Sequence, residues 1–403
     1  WYGGTRGREV WKSARVPGAK QAAPFIDPGV NTVHADWQPS LSVAAQDWPE
    51  GTYLLLLASD TGFSTYVPIT VRTGATRGRT VLVNAVTTWQ AYNEWGGHNL
   101  YNGPRDYGDR SRIVSFDRPY DSTGASTYLN MELPLIAVAE RMGLPVSYAT
   151  DVDLDAEPAL FAGATSVMTL GHDEYWSTAM RDNATAIRDA GGNLAFFGAN
   201  AVNRHIRFGA TALGPHRLVI CYKSAAEDPM TADNPNESTQ DWRLPPDPRP
   251  ENVLTGTYYQ CFPGNAPFVV WDPGAWMFAG TGAQRGSSYK GLVGVEYDRV
   301  VRDPAPPQPL QVLSHSPVSC GGKADFANAS YYTVPSGAGV FSTGTMRWVC
   351  ALGTGCGQYL DDGARRFATQ VTENVLREFA LGPAGKVHPA RPNMDEVAPP
   401  ASR

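Results

Sequence analysis

The stretch SVMTLGHDEYWSTAMRDNATAIRDAGGNLAFFGAN, residues 166–200, carries the reading of the fold. SVMTL and NLAFF are short apolar runs of strand length, of the kind buried on both faces of a sheet. Between them STAMRDNATAIRDAGG reads as a helix, with Ser177 placed to cap its first turn and two glycines placed to end it. Strands joined by a helical crossover are expected to lie parallel, since a tight hairpin joins antiparallel neighbours. The alternation continues outward. VLVNAV at 81–86 reads as a buried strand, YLNMELPLIAVAERMG at 128–143 as one amphipathic helix closed by glycine, and PVSYATDVDL at 145–154 as the next strand. RLVI, LVGVEYD, LQVLSHS and the glycine-rich GAGVFSTGT add later strands, and a last helix is expected from Arg365 to Ala380.

The first 75 residues differ. REVWKS, TVHADW, TYLLLLAS and TYVPITVR are short β-runs separated by Gly, Pro and Asp, the pattern of a β-sandwich. The expected architecture is therefore α/β, a parallel sheet with helices over 76–385, preceded by a β-sandwich-like segment over 1–75. An irregular insertion is expected at about 225–290 and a loose tail over 386–403. The opening WYGGTRGREV reads like the middle of a strand pattern, so further β-structure is expected before Trp1.

Composition narrows the function classes. A net charge of -6, with its 33 basic residues scattered among 39 acidic ones, offers no stripe that would track phosphates, so nucleic acid is not an expected partner. No apolar run approaches the roughly 20 residues of a membrane span. The five cysteines form no CxxC pair, which argues against a cysteine-built zinc site. Cys350 and Cys356 enclose a short loop and could be bridged or reduced, which leaves the compartment open between cytoplasmic and extracytoplasmic. No Gly-x-Ser-x-Gly, Gly-x-Cys-x-Gly, GxGxxG or P-loop occurs, so serine or cysteine nucleophiles and nucleotides lose support.

Ligands of open parallel sheets collect at the carboxyl ends of the strands. The residues just after each apolar run include Tyr92, His172, Asp173, Glu174, Asn200, Lys223 and Glu296, which could share one crevice. GHDEYWS stands where an elbow would present a nucleophile, and it presents His, Asp and Glu instead. One reading is a cation ligand beside a proton shuttle; the other is a helix start that favours acidic residues through its dipole. Trp89, Tyr92 and Trp95 in TWQAYNEWGG read equally as core aromatics.

TWQAYNEWGG, VSFDRPY, ATDVDL, GHDEYWS, GANAVN, the CYK element and SGAGVFSTGT, in this order, resemble the large-subunit catalytic region of the N,N-dimethylformamidase family. The resemblance spans about Trp1 to Leu381. It implies a β-rich part followed by a domain similar to class I glutamine amidotransferases without their cysteine nucleophile. It also implies hydrolysis of an amide C–N bond at one ferric iron held by two tyrosines and a glutamate. Position by position it puts the glutamate on Glu174 and one tyrosine on Tyr92. The second tyrosine falls on Tyr53, with Tyr66 as fallback. His172 takes the proton-transfer place, and Asn200, Lys223 and Glu296 take substrate-orienting places. Phenolates suit a hard, strongly Lewis-acidic cation, which fits ferric iron. A small amide is the implied substrate, with a small subunit or a second copy as candidate partner. Heavy use of Ala, Gly and Pro fits a high-GC bacterial source. The cysteines, Cys221 included, are expected to have no catalytic or metal role. A contrasting reading is a secreted or surface module that binds carbohydrate or protein through its tryptophans.

Overall fold

The computed structural model describes residues 7–74 and 76–398. The strand-like opening WYGGTR and residues 399–403 of the expected tail lie outside them. The N-terminal segment holds one hairpin, β1 (Gly51–Ala58) and β2 (Ser64–Val71), in unbroken register from Gly51 opposite Val71 to Ala58 opposite Ser64. Upstream, among the described residues, only Phe25–Ile26 pairs with Val33–His34, and the 8–13 run has no regular structure. Two separate two-stranded sheets therefore stand where a sandwich was expected. Pro17, Pro24 and Pro28 interrupt this part of the chain, and proline cannot donate to a ladder.

The core follows the parallel expectation more closely. β3 (Thr80–Asn84) leads into α1 (Val86–Tyr92). Then come α2 (Ser126–Met131), α3 (Leu133–Arg141) and β4 (Val146–Thr150). β5 (Ser166–Thr169), β6 (Tyr175–Ser177), α4 (Thr178–Asp189) and β7 (Asn193–Phe196) match the opening stretch. Ser177 caps α4, accepting from the Met180 N–H at 3.1 Å. Later come β8 (Arg204–Thr211), β9 (Gly214–Ile220), β10 (Tyr258–Val269), β11 (Ser288–Arg299), β12 (Leu310–Val312), β13 (Ser330–Thr333), β14 (Gly339–Ser342) and α5 (Asp362–Ala380).

Seven strands form the main sheet in the order β12-β13-β14-β7-β5-β3-β4. β4, β3, β5, β7 and β14 run parallel, and β13 and β12 extend the edge antiparallel, so the sheet is mixed rather than wholly parallel. Every residue of β3, β5, β7 and β14 is buried, as their apolar runs require. α3 and α5 cover one face through Leu135, Ile136, Val371 and Leu376, while α4 covers the other through Met180 and Ala184. Each of the larger of these buried side chains contributes roughly 1.5–3 kcal/mol. RLVI and LVGVEYD fall outside the main sheet. β9 joins β8, β6 and the short strand Ile113–Ser115, and β11 pairs with β10 from the insertion.

Two local expectations changed. Thr150 ends β4 and caps a short helix, Asp151–Ala156, so the strand is shorter than PVSYATDVDL suggests. The helix expected over 128–143 is broken at Glu132, whose φ of -132° lies outside the helical region. Pro134 opens the second piece in the first turn, where its missing N–H costs nothing. Glu132 turns inward instead. Its carboxyl accepts from Asn84 Nδ2 at 2.5 Å, Trp89 Nε1 at 2.6 Å and the Ala85 N–H at 3.1 Å, tying the end of β3 to the start of α1.

Cys261 pairs with Cys320 and Cys350 with Cys356, while Cys221 is free and buried. No helix among the described residues is long and apolar enough to cross a membrane.

Candidate active site

The chain runs from β3 outward to β4, then returns across β3 to β5. Strand order reverses there, at the carboxyl ends of β3 and β5, the place where open α/β sheets bind ligands. α1, which comes after β3, delivers Tyr92 at its last position. The turn after β5 delivers His172, Asp173 and Glu174. Space in that turn is tight. Gly171 has a φ of +59°, and a Cβ on it would meet the Met131 carbonyl oxygen at 2.2 Å. A Cβ on Gly198, just after β7, would meet the carbonyl oxygen of Gly171 at 1.6 Å. The two strand-end turns thus stack backbone on backbone. The expected strand, turn and helix is in fact strand, turn, the short strand β6 and only then α4, with β6 paired in parallel to β8.

Three oxygen-bearing side chains meet at this point. Tyr92 Oη donates to Glu174 Oε2 at 2.7 Å, and Tyr101 Oη lies 2.8 Å from Oε1 and 3.0 Å from Oε2. The two phenol oxygens are 2.9 Å apart and their rings stack at 4.6 Å. His172 Nε2 stands 3.5 Å from Glu174 Oε2 and 3.3 Å from Glu296 Oε2, so β11 joins the cluster through Glu296. Lys223 Nζ sits 3.0 Å from the centre of the Tyr101 ring, and among the described residues no hydrogen-bond partner satisfies it. Arg204 Nε reaches Glu174 Oε1 at 3.2 Å. Tyr175 Oη donates to Tyr101 Oη at 2.8 Å from below.

Burial is the largest influence on Tyr92, Tyr101, Tyr175, Glu174, His172 and Lys223. It pushes the Tyr92, Tyr101 and Tyr175 phenols well above their ordinary value, and the Glu174 charge adds to it. Burial also opposes the ionised Glu174, but His172, Arg204 and Lys223 overcome it and hold the carboxyl below its ordinary value. Burial likewise opposes a charged His172, and the neighbouring Glu296 and Glu174 outweigh it and raise the imidazole. Burial lowers Lys223 to about 7.

Of the residues read from the sequence, Tyr92, His172, Glu174, Lys223 and Glu296 lie together. Asn200 sits beside them in the left-handed region, with φ +59°. Its N–H donates to Asp298 Oδ1 at 2.8 Å, two residues beyond Glu296, and its side-chain oxygen is buried without a hydrogen-bond partner among the described residues. Asp173 points into the core, where its carboxyl accepts from Trp176 Nε1 and burial raises it to about 8. Tyr53 is elsewhere: its hydroxyl donates to the Pro49 carbonyl and its ring packs on Trp48. Tyr66 lies on β2 opposite Leu56. The phenol beside Tyr92 and Glu174 is Tyr101, which the sequence reading passed over, as it did Arg204. Among the described residues no group of three His, Cys, Asp or Glu is arranged to hold a metal ion, so a cation at this point would depend on the phenols.

A mixed α/β sheet with a buried tyrosine, carboxylate and histidine cluster at its switch point defines the class. The chain belongs to the N,N-dimethylformamidase beta subunit-like, C-terminal family, whose model matches residues 1–360. No curated protein matches its sequence.

Proposed function

We propose that this chain hydrolyses an amide C–N bond with the help of one ferric iron held by Tyr92, Tyr101 and Glu174. The observation that carries the reading is the mutual spacing of the three ligand groups, 2.7–3.0 Å between oxygens that share a buried site. Oxygens gathered this closely would let Tyr92, Tyr101 and Glu174 hold one ion between them. The donor set is all oxygen, which suits a hard cation, and buried phenols this reluctant to ionise call for a strongly Lewis-acidic one. Tyr101 takes the place that the family resemblance gave to Tyr53.

When bound, the ion supplies Lewis acidity toward an amide carbonyl and toward water. The side chains supply the rest. Hydrolysis adds water across the C–N bond, so one proton must leave the attacking water and one must reach the departing nitrogen. Glu296 accepts the first, and His172, raised by its two carboxylate neighbours, delivers the second from Nε2. Lys223 Nζ offsets negative charge gathered on Tyr101, and Asn200 orients the amide through its unpartnered side-chain oxygen. We read the parallel part of the sheet as a class I glutamine amidotransferase-like core in which His172 succeeds the strand-end glycine in place of a nucleophilic cysteine. A small amide is the proposed substrate, and the word subunit in the family description supports assembly with a further subunit; a second copy of the chain is the other proposed partner.

Elemental analysis of the purified chain and an amine-release screen over small and large amides test the reading. Glu174→Ala is expected to lose iron and colour. His172→Ala is expected to keep both and lose about 10²–10⁴-fold in turnover. Full activity without iron refutes the proposal, and equal iron loss in both variants makes His172 a ligand.

A further inference from the structure

The two oxygens of Glu174 have different neighbours. Both lie near the phenols, but His172 stands by Oε2 at 3.5 Å and the Arg204 guanidinium by Oε1 at 3.2 Å. Arg204 is fixed from two sides. As the first residue of β8 it donates its own N–H to the Glu174 carbonyl at 2.9 Å and pairs with Tyr175 of β6. Outside, its guanidinium is ion-paired to Asp241 of the insertion, and their backbones form an isolated bridge. The flanking bonds, His205 N–H to the Gln240 carbonyl at 2.7 Å and Trp242 N–H to the Asn203 carbonyl at 3.0 Å, fix that bridge to β8.

We propose that Arg204 is a positioning residue that occupies Oε1 of Glu174, so that the carboxylate offers a cation Oε2 alone. This rests on the iron site proposed above. A carboxylate free to bind through both oxygens would take an extra place around the ion, one that water or substrate needs. The insertion thereby acts on the chemistry through Asp241.

The test compares Arg204→Gln, Arg204→Lys and Asp241→Asn with the unaltered chain in iron content, in the visible phenolate-to-iron band and in kcat/KM. Arg204→Gln is expected to keep its iron, to shift the band and to lose about 10–100-fold in kcat/KM, the usual cost of removing a partner that orients a metal ligand. Lysine retains the charge but not the planar fork, so Arg204→Lys is expected to recover only part of the loss. Asp241→Asn is expected to move band and rate the same way by less. An unaltered band and rate in Arg204→Gln, or loss of its iron, overturns the inference. An unchanged band in Asp241→Asn overturns it as well, and does so even if Arg204→Gln fails to fold. Absence of iron from the unaltered chain instead overturns the functional reading.

Discussion

Glu132 offers a test that needs no substrate. Its carboxyl is buried at the break between α2 and α3, and burial lifts it to about 8 despite the donors from Asn84, Ala85 and Trp89. The folded chain therefore holds this proton more tightly than the unfolded chain does. The resulting stability is complete below pH 4.5 and is lost as pH rises through about 8. At about 1.4 kcal/mol per pH unit, a carboxyl moved from 4.5 to about 8 carries at most roughly 5 kcal/mol. Glu132→Gln keeps the shape of the neutral acid and removes the titration. Its amide can donate to Asn84 once that side chain turns over and Thr70, now its donor, becomes its acceptor. Urea unfolding of both proteins, disulfides intact, from pH 5 to pH 9 measures the difference. Equal stability within about 1 kcal/mol is expected at pH 5, with the glutamine variant ahead by several kcal/mol at pH 9. A difference that stays constant across that range refutes the assignment of a neutral Glu132.

Tyr101→Phe should remove iron and colour, whereas Tyr53→Phe should keep both and cost about 1 kcal/mol for its lost bond to the Pro49 carbonyl, read by metal analysis and by melting. Removing Cys261–Cys320, whose partners are 59 residues apart, should cost about 4 kcal/mol, and removing Cys350–Cys356, 6 residues apart, about 2 kcal/mol; the reverse order in denaturant would contradict the loop-entropy account. Cys221→Ala should leave iron content and turnover unchanged and cost about 1–2 kcal/mol in packing, because the thiol is buried and pushed up by that burial. Loss of turnover in an iron-loaded Cys221 variant would revive thiol chemistry.

Periodicity and strand ends set how much of the fold and site was legible in the sequence. The strands and helix of 166–200 stand where their patterns put them, and Tyr92 and Glu174 touch although 82 residues separate them. Tyr101 escaped notice because GGHNLYNG has neither helical nor strand period. Its position depends on Asn99, whose side chain accepts from the Tyr101 N–H at 2.7 Å and donates to the Tyr92 carbonyl at 3.2 Å, folding the loop back against α1. A tyrosine so soon after Tyr92 in a turn-forming loop was the available clue. Arg204 begins a strand, where a charged residue reads as ordinary surface. The break at Glu132 was hidden because an apolar helical stripe continues across it, and only Pro134 hinted at a new start. The N-terminal β-runs were legible as strands in the hairpin and at Val33–His34, but local pattern says nothing of whether a second sheet faces them.

The contact between Gly171 and Gly198 bears on how a mutational scan of this chain would look. Neither residue has a side chain to offer a substrate, yet any Cβ at either would collide with fixed backbone. In a selection for activity, both positions should be depleted of variants about as strongly as Glu174. Scored for abundance of folded protein, they should separate from it. Variants at the glycines should vanish from the soluble pool, while Glu174 variants that tolerate their own burial should persist there as inert protein. The pair of scans would divide the residues that shape the two turns from those that work beside them.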